Sequence, residues 1–126
     1  MKNTKWSTSS FWMSFKCAIN GIKYVFRTQR NIVIQVVLGF IAIVLGIFFK
    51  ISNIEWLILS LTIALVLFAE FVNTAIETTV DLFTEEYNEK AKIAKDVAAG
   101  GVVITAINSI VVGVIILGEK IINYLI

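Results

Sequence analysis

The sequence predicts an all-α integral membrane protein in which an amphipathic surface helix precedes three transmembrane helices. Of its 126 residues, 58% are hydrophobic and only 16% are charged, whereas an average soluble domain is closer to half apolar and a quarter charged. Three helix-compatible stretches, at about 31–50, 54–83 and 93–119, each contain a long apolar run, and a bilayer-spanning helix needs roughly 20 residues. A chain of this length is expected to form a single domain over residues 1–126.

The segment at about 8–28 has the pattern of a helix that lies on a membrane. Apolar residues, among them Phe11, Phe15 and Ile22, recur at helical spacing, which is typical of an amphipathic interfacial helix. A cleavable signal peptide explains the segment less well, because it would need a continuous apolar run. The basic residues of this region should meet anionic lipid headgroups rather than nucleic acid. Residues 1–30 contain no acid and six cations: Lys2, Lys5, Lys16, Lys23, Arg27 and Arg30.

The first and third apolar stretches are interrupted by few polar side chains. The first runs from Ile32 to Phe49, and Gln35 is its one strongly polar residue. The third runs from Val97 to Leu117, and its polar residues include Asn108 and Ser109. Polar side chains in transmembrane helices often form hydrogen bonds between helices. We expect Asn108 and Ser109 to have this structural role.

The distribution of Lys and Arg predicts how the bundle is oriented. The connection between the second and third stretches carries Lys90, Lys92 and Lys95 and lies on the same side as the basic N-terminal segment. The opposite side carries only Lys50 and Lys120. Because cytoplasmic segments are enriched in Lys and Arg, the N-terminus should be cytoplasmic and the C-terminus outside. The protein would then be a multi-pass protein of the plasma membrane.

The second stretch carries a stripe of polar residues near its cytoplasmic end. Glu70, Asn73, Glu77 and Asp81 fall within an arc of about 80° on a helix of 100° per residue. An ionised acid within a membrane helix costs roughly 2.5–3.5 kcal/mol, and such residues normally face a protein interior or cavity. An Asn or Ser could hold helices together without charge. The stripe therefore indicates chemistry in which a cation, a metal or a phosphate-bound metal offsets the acids.

Several common kinds of active site are excluded. The chain has no His, which is the usual general base at neutral pH and the commonest zinc ligand. Its single cysteine, Cys17, cannot form an internal disulfide, and neither a P-loop nor a Rossmann glycine motif occurs. The pair Lys95-Asp96 lies on the same side as the acidic stripe. A lysine there could offset the acids or bind a phosphate. Taken alone, Lys95 is better explained as an ordinary lysine that flanks a span on the cytoplasmic side.

These residues resemble those of the small prokaryotic diacylglycerol kinase and undecaprenol kinase family of integral membrane lipid kinases. The resemblance covers nearly the whole chain and centres on Glu70-x-x-Asn73-Thr74-Ala75-Ile76-Glu77-x-x-Val80-Asp81, followed by Ala94-Lys95-Asp96. The segments Thr28-Gln29-Arg30-Asn31 and Ile54-Glu55-Trp56 are most similar to the Gram-positive branch. In that branch the preferred lipid is typically undecaprenol.

The resemblance implies a homotrimer whose active sites lie between neighbouring chains near the cytoplasmic face. It implies ATP and Mg²⁺ as cofactors and a lipid alcohol that arrives within the membrane. By position, Glu70 would be the general base for the lipid hydroxyl, and Asn73 would lie beside the reacting centre. Glu77 would hold the Mg²⁺.

The resemblance also implies a nucleotide site, formed by Lys95, Asp96 and the stretch Glu86-Tyr87-Asn88. The family usually has a second metal-binding glutamate before the first span, and this chain has Gln29 there. A glutamine offers Mg²⁺ a carbonyl oxygen without charge, which predicts weaker binding of metal and ATP.

The function predicted from the sequence is ATP- and Mg²⁺-dependent phosphorylation of undecaprenol to undecaprenyl phosphate. Diacylglycerol kinase activity, which makes phosphatidic acid, is the alternative that the residues do not separate from it. A small ion or proton transporter could use Glu70 and Glu77 as a relay, but it would not explain Lys95-Asp96. A purely structural membrane subunit would not need the charged stripe.

Overall fold

The computed structural model describes residues 10–126, and within that range the regular elements are helices. Lys2, Lys5 and the predicted start of the surface helix near residue 8 lie outside the described residues. The elements are α1 (Phe11–Thr28), α2 (Arg30–Phe48), α3 (Asn53–Phe83), α4 (Glu89–Gly113), a π-helical turn (Val114–Gly118) and α5 (Glu119–Leu125).

Three helices of the described chain are long and apolar enough to cross a membrane. They are Arg30–Phe48, Asn53–Phe83 and the continuous helical stretch Glu89–Leu125. This result confirms the prediction of an all-helical membrane protein with three spans. The third helical stretch extends beyond the predicted bounds of about 93–119 at both ends, because Asn88 caps its first turn and the helix continues through the π turn.

The two helix starts in α3 and α4 follow directly from capping residues. The hydroxyl of Ser52 accepts a hydrogen bond from the backbone N–H of Glu55 at 3.2 Å, and the Glu55 carboxylate accepts one from the backbone N–H of Ser52 at 2.7 Å. This reciprocal capping box satisfies two of the N–H groups that a helix start leaves free. Asn88 accepts from the backbone N–H of Ala91 at 3.1 Å. The capping residues therefore fix where both antiparallel helices begin.

A single extended residue, Gln29, separates α1 from α2. It has φ −110° and ψ 109°, and its backbone N–H still bonds to the carbonyl of Val25 at 2.8 Å. The chain thus changes direction between the two helices without a loop. Phe11 and Trp12 on α1 are 88% and 67% exposed, so the rest of the described chain does not cover them. The location of α1 in a membrane interface stays a prediction.

The helices form a bundle in which α3 pairs closely with α4, and α2 packs less extensively on α3. A buried cluster of Ile51, Leu59, Ile116 and Leu117 lies where the α2–α3 connection meets the π turn. We call this region the packed end. We call the opposite end, which carries Glu77, Asp81 and Lys95, the acidic end.

The hydrogen bonds expected between helices for Asn108 and Ser109 do not form within the described chain. The Ser109 hydroxyl donates to the carbonyl of Ala106 on its own helix at 2.7 Å. Such local bonds to a preceding turn compete with bonds to other helices. Asn108 is exposed on α4 and has no hydrogen-bond partner among residues 10–126. The expectation was therefore wrong for this chain taken alone.

Candidate active site

Glu70 is the most deeply buried carboxylate that the structure describes, with 1% of its surface exposed. It lies on α3, where a side chain from the neighbouring helix reaches it: Nε2 of Gln35 on α2 donates to Oε1 of Glu70 at 3.0 Å. The backbone carbonyl of Glu70 accepts from the hydroxyl of Thr74 at 2.8 Å. The structure therefore places the Glu70 carboxylate inside the protein, where one side-chain hydrogen bond from the neighbouring helix reaches it.

Gln35 is a residue of this site that the sequence did not identify. The feature that could have identified it is that Gln35 is the one strongly polar residue of the first apolar stretch. That position faces α3 rather than lipid, and Oε1 of Gln35 is buried without a hydrogen-bond partner in the described chain. A lone amide in an apolar helix thus indicated the group that contacts the buried acid.

Asn73 and Glu77 continue the stripe toward the acidic end, as the helical spacing predicts. Nδ2 of Asn73 donates to Oε1 of Glu77 at 3.2 Å. Asn73 is buried, and its Oδ1 has no partner among the residues that the structure covers. Buried polar atoms are normally satisfied, so an unpaired one calls for an explanation such as a ligand or an ion. The stripe thus presents acceptor oxygens that the chain itself leaves unused.

Lys95 offsets the acids of α3, one of the two roles considered from the sequence. Its Nζ lies 2.6 Å from Oδ1 of Asp81, and the negative charge of Glu77 also acts on this ammonium. The pair joins α3 to α4 across the short connection between them. Both side chains are about half exposed, so the pair contributes little to stability. A positive group therefore lies beside the acids while remaining accessible.

The other predicted nucleotide-binding residues lie around the α3–α4 connection. Asp96 pairs with Lys92 one helical turn away. The backbone N–H of Glu86 donates to the Thr84 hydroxyl at 3.2 Å, and Asn88 caps α4. Tyr87 is 83% exposed. No hydrogen bond joins this connection to Glu70, Asn73 or Glu77 within residues 10–126.

Gln29 lies at the junction of α1 and α2, and its side chain makes no hydrogen bond to the described residues. The described residues contain no group of three or more His, Cys, Asp or Glu side chains that could bind a metal by themselves. Mg²⁺ does not require such a group, because it usually binds to one or two carboxylates together with water and substrate phosphates. Glu77, with the unpaired Oδ1 of Asn73 beside it, offers such oxygens.

An apolar cavity of about 330 Å³ lies between α2, α3 and α4. Gln35 forms part of its wall, so the cavity reaches the side chain that contacts Glu70. Its two hydroxyl groups both donate to their own helices, Thr62 to Ile58 and Ser109 to Ala106. The remaining lining residues are apolar or lack a side chain: Leu38, Gly39, Ala42, Leu59, Ile63, Val66, Leu67, Ala106, Ile110 and Gly113.

The chain is similar in sequence to known proteins. The sequence pattern of the prokaryotic diacylglycerol kinase family matches residues 16–117. A diacylglycerol kinase from Synechocystis is 38% identical over 115 residues, which cover 90% of this chain and 66% of that protein. The undecaprenol kinase of Bacillus subtilis is 39% identical over 110 residues, which cover 87% of this chain and 89% of that protein.

Both relatives are named as kinases, and neither name describes a transporter or a structural subunit. The family match extends from α1 to the π turn and so includes the whole acidic stripe and the Lys95–Asp81 pair. The chain therefore belongs to the prokaryotic diacylglycerol kinase family, a family of membrane lipid kinases.

Proposed function

We propose that this protein phosphorylates the hydroxyl group of undecaprenol, with ATP and Mg²⁺ as the phosphate donor and its metal. The observation that carries the proposal is the position of Glu70, a buried carboxylate that accepts a hydrogen bond from Gln35, which forms part of the wall of an apolar cavity. A lipid alcohol needs both features, since its hydrocarbon chain requires an apolar site and its hydroxyl requires a proton acceptor. The family match supports the reaction class.

In this reaction Glu70 takes the proton from the lipid hydroxyl, and the hydroxyl oxygen attacks the γ-phosphorus of ATP. The bond between that phosphorus and the bridging oxygen breaks, and ADP leaves. Phosphoryl transfer depends mainly on positioning and on neutralisation of charge, so one well-placed base suffices on the protein side. Of the two carboxylate oxygens of Glu70, only Oε1 accepts a side-chain hydrogen bond from the described chain. The other carboxylate oxygen is available to the lipid hydroxyl.

The nucleotide binds at the acidic end. Lys95 contacts the phosphates, and Asp96 together with Glu86, Tyr87 and Asn88 contacts the rest of the nucleotide. When bound, Mg²⁺ neutralises phosphate charge. Its protein ligand is the Glu77 carboxylate, and Gln29 contributes at most a neutral oxygen. Asn73 orients Glu77 through the hydrogen bond from its Nδ2.

The cavity favours undecaprenol over diacylglycerol. Undecaprenol is a primary alcohol on a hydrocarbon chain, whereas diacylglycerol carries two ester carbonyls that need hydrogen-bond donors when buried. Both hydroxyl groups in the cavity wall already donate to backbone carbonyls of their own helices. The relative that aligns over 89% of its own length is also an undecaprenol kinase.

We further propose that the protein acts in the plasma membrane as a homotrimer with shared active sites and a cytoplasmic N-terminus. The side chain of Gln29 makes no cap hydrogen bond, and in the described chain no hydrogen bond joins residues 86–88 to Glu70, Asn73 or Glu77. This lack of contact supports a site completed by a neighbouring chain. The many Lys and Arg residues on the side of the acidic end support its cytoplasmic orientation.

The direct experiment supplies the purified protein in mixed micelles with ATP labelled at the γ-phosphate. Undecaprenol and diacylglycerol are offered separately, and the labelled lipids are separated by thin-layer chromatography. We expect labelled undecaprenyl phosphate as the main product. A predominance of phosphatidic acid would assign the alternative, which the name of the Synechocystis relative favours. Absence of both labelled lipids would refute a lipid kinase.

Replacement of the proposed base tests the mechanism. Glu70→Gln keeps the size of the side chain but cannot accept the proton, so we expect turnover to fall to background. ATP binding, measured by isothermal titration with Mg²⁺, should persist because the nucleotide lies at the acidic end. Full activity of this variant would show that Glu70 is not the base.

A further inference from the structure

We propose that Gln35 is a positioning residue that holds the Glu70 carboxylate in both of its protonation states during phosphoryl transfer. The inference rests on the proposed role of Glu70 as the base. Its starting point is the 3.0 Å hydrogen bond from Nε2 of Gln35 to Oε1 of Glu70, which joins α2 to α3. Among the described hydrogen bonds, no other one reaches this carboxylate from a side chain.

The bond restricts where Glu70 can present its second oxygen. A free glutamate side chain has several staggered rotamers and a broad terminal torsion, so its oxygens would otherwise be spread over many positions. With Oε1 fixed by the amide, the remaining oxygen keeps one direction relative to α2. Gln35 also lines the apolar cavity. The same side chain therefore relates the position of the base to the site of the lipid chain.

The same hydrogen bond serves both protonation states of Glu70. The proton from the lipid hydroxyl goes to the carboxylate oxygen that Gln35 does not contact, so Oε1 of Glu70 becomes the carbonyl oxygen of the acid and still accepts from Nε2 of Gln35. Oε1 of Gln35 is buried and has no partner in the part of the chain that the structure describes. The amide N–H of Gln35 therefore holds the side chain before and after proton transfer.

A packing role alone does not account for these contacts. An apolar side chain of the same length would fill the space without leaving a buried acceptor unpaired, and buried polar atoms are normally satisfied. The amide nitrogen of Gln35 donates to Glu70, and the amide oxygen has no partner among the described residues.

The test variant is Gln35→Met, which keeps an unbranched side chain of similar length and removes both hydrogen-bonding atoms. Loss of a group that orients a reacting side chain typically costs about 10- to 100-fold in activity. We expect kcat for undecaprenol to fall by that factor while KM for ATP and Mg²⁺ stays within about twofold. Thr105→Val is the matched control, because Thr105 is a buried polar residue outside the cavity lining and donates to the carbonyl of Val102 on its own helix.

A double-mutant cycle with Glu70→Asp shows whether Gln35 acts through the carboxylate. The shorter acid withdraws from the amide, so Gln35→Met should cost little further activity in that background. Wild-type kcat in Gln35→Met, or equal losses in both backgrounds, would overturn the positioning role. Such a result leaves the proposed function standing if Glu70→Gln is inactive. An active Glu70→Gln variant would instead overturn the proposed function itself.

A spectroscopic measurement separates positioning from general damage to the fold. In protein labelled with ¹³C at the glutamate carboxyl carbon, the Glu70 resonance is assigned by its loss in Glu70→Gln. We expect this resonance to shift in Gln35→Met and to stay unchanged in Thr105→Val. An unmoved Glu70 resonance in Gln35→Met would show that the hydrogen bond does not exist in the membrane-embedded protein.

Discussion

The two ends of the bundle each contain a lysine–carboxylate pair between α3 and the helix that packs against it, yet the pairs have different surroundings. At the packed end, Nζ of Lys120 lies 2.9 Å from Oε1 of Glu55. At the acidic end, Nζ of Lys95 lies 2.6 Å from Oδ1 of Asp81. The two acids lie on one helix, about 39 Å apart at 1.5 Å per residue.

At the packed end the polar atoms of the pair have further partners within the chain. The second oxygen of Glu55 accepts from the backbone N–H of Ser52, and Lys120 also donates to the carbonyl of Ile116. At the acidic end and just below it, Asn73 and Gln35 each keep a buried oxygen without a partner in the described chain. Because unsatisfied buried groups oppose folding, the contrast supports the proposal that one end serves stability and the other binds ligands.

Among the substitutions that compare the two ends, Lys95→Met at the acidic end should cause the largest loss of activity. Removal of a cationic group that stabilises a transferring phosphoryl group should lower kcat/KM by on the order of 100-fold. The stability of the protein should change little, because the Lys95–Asp81 pair is about half exposed. The measurements are kcat/KM for ATP and the midpoint of thermal unfolding in detergent.

Lys92→Met is the matched control, since Lys92 lies one turn before Asp96 and forms an exposed pair with it. We expect this variant to retain most of its activity. If both variants lost activity equally, general positive charge around the α3–α4 connection, rather than the position of Lys95, would be responsible.

The helices were predictable because their signals are local. Apolar runs of about 20 residues marked the three spans, and the helical spacing of Glu70, Asn73 and Glu77 placed them on one face. The proximity of Lys95 to that face also followed from the sequence, because a short connection makes α3 and α4 antiparallel neighbours. Family resemblance then supplied the reaction class.

The partners across helices were not predictable from one sequence. Which face of α2 meets α3 depends on how two nearly uniform apolar surfaces pack, and so the contact between Gln35 and Glu70 required a structure. The same limit explains the incorrect expectation for Ser109, whose hydroxyl bonds within its own helix. The pair between Glu55 and Lys120 also joins residues far apart in sequence.

An intermediate effect, confined to the packed end, is expected for Gly46→Ala. A Cβ atom at Gly46 would lie 2.8 Å from Cη2 of Trp56 and 3.0 Å from Cδ1 of Ile51. Overpacking of this kind typically costs about 1–3 kcal/mol. We expect a lower free energy of unfolding, measured by titration with a denaturing detergent, and a normal KM for ATP in the protein that remains folded.

Gly21→Ala provides the comparison for that variant, because a Cβ atom at Gly21 would have no neighbour within 4 Å. Its stability should be equal to or slightly above that of the wild type, since alanine favours a helix more than glycine does. Equal destabilisation by both substitutions would show that the close approach at Gly46 is absent in the folded protein.

The smallest effect is expected for Lys120→Met at the packed end. The side chains of Lys120 and Glu55 are 34% and 27% exposed, and solvent-accessible ion pairs contribute little to stability. Glu55 also keeps its bond to the backbone of Ser52 when the lysine is removed. Lys50→Met removes the same charge from an exposed residue at that end and should leave stability unchanged.

The decisive measurement is KM for ATP in Lys120→Met. A value equal to that of the wild type would mean that the two lysine–carboxylate pairs have different roles. An increase comparable to that in Lys95→Met would instead mean that the packed end takes part in nucleotide binding, because substitution of a distant lysine that acts only on stability lowers the amount of folded protein and leaves KM unchanged.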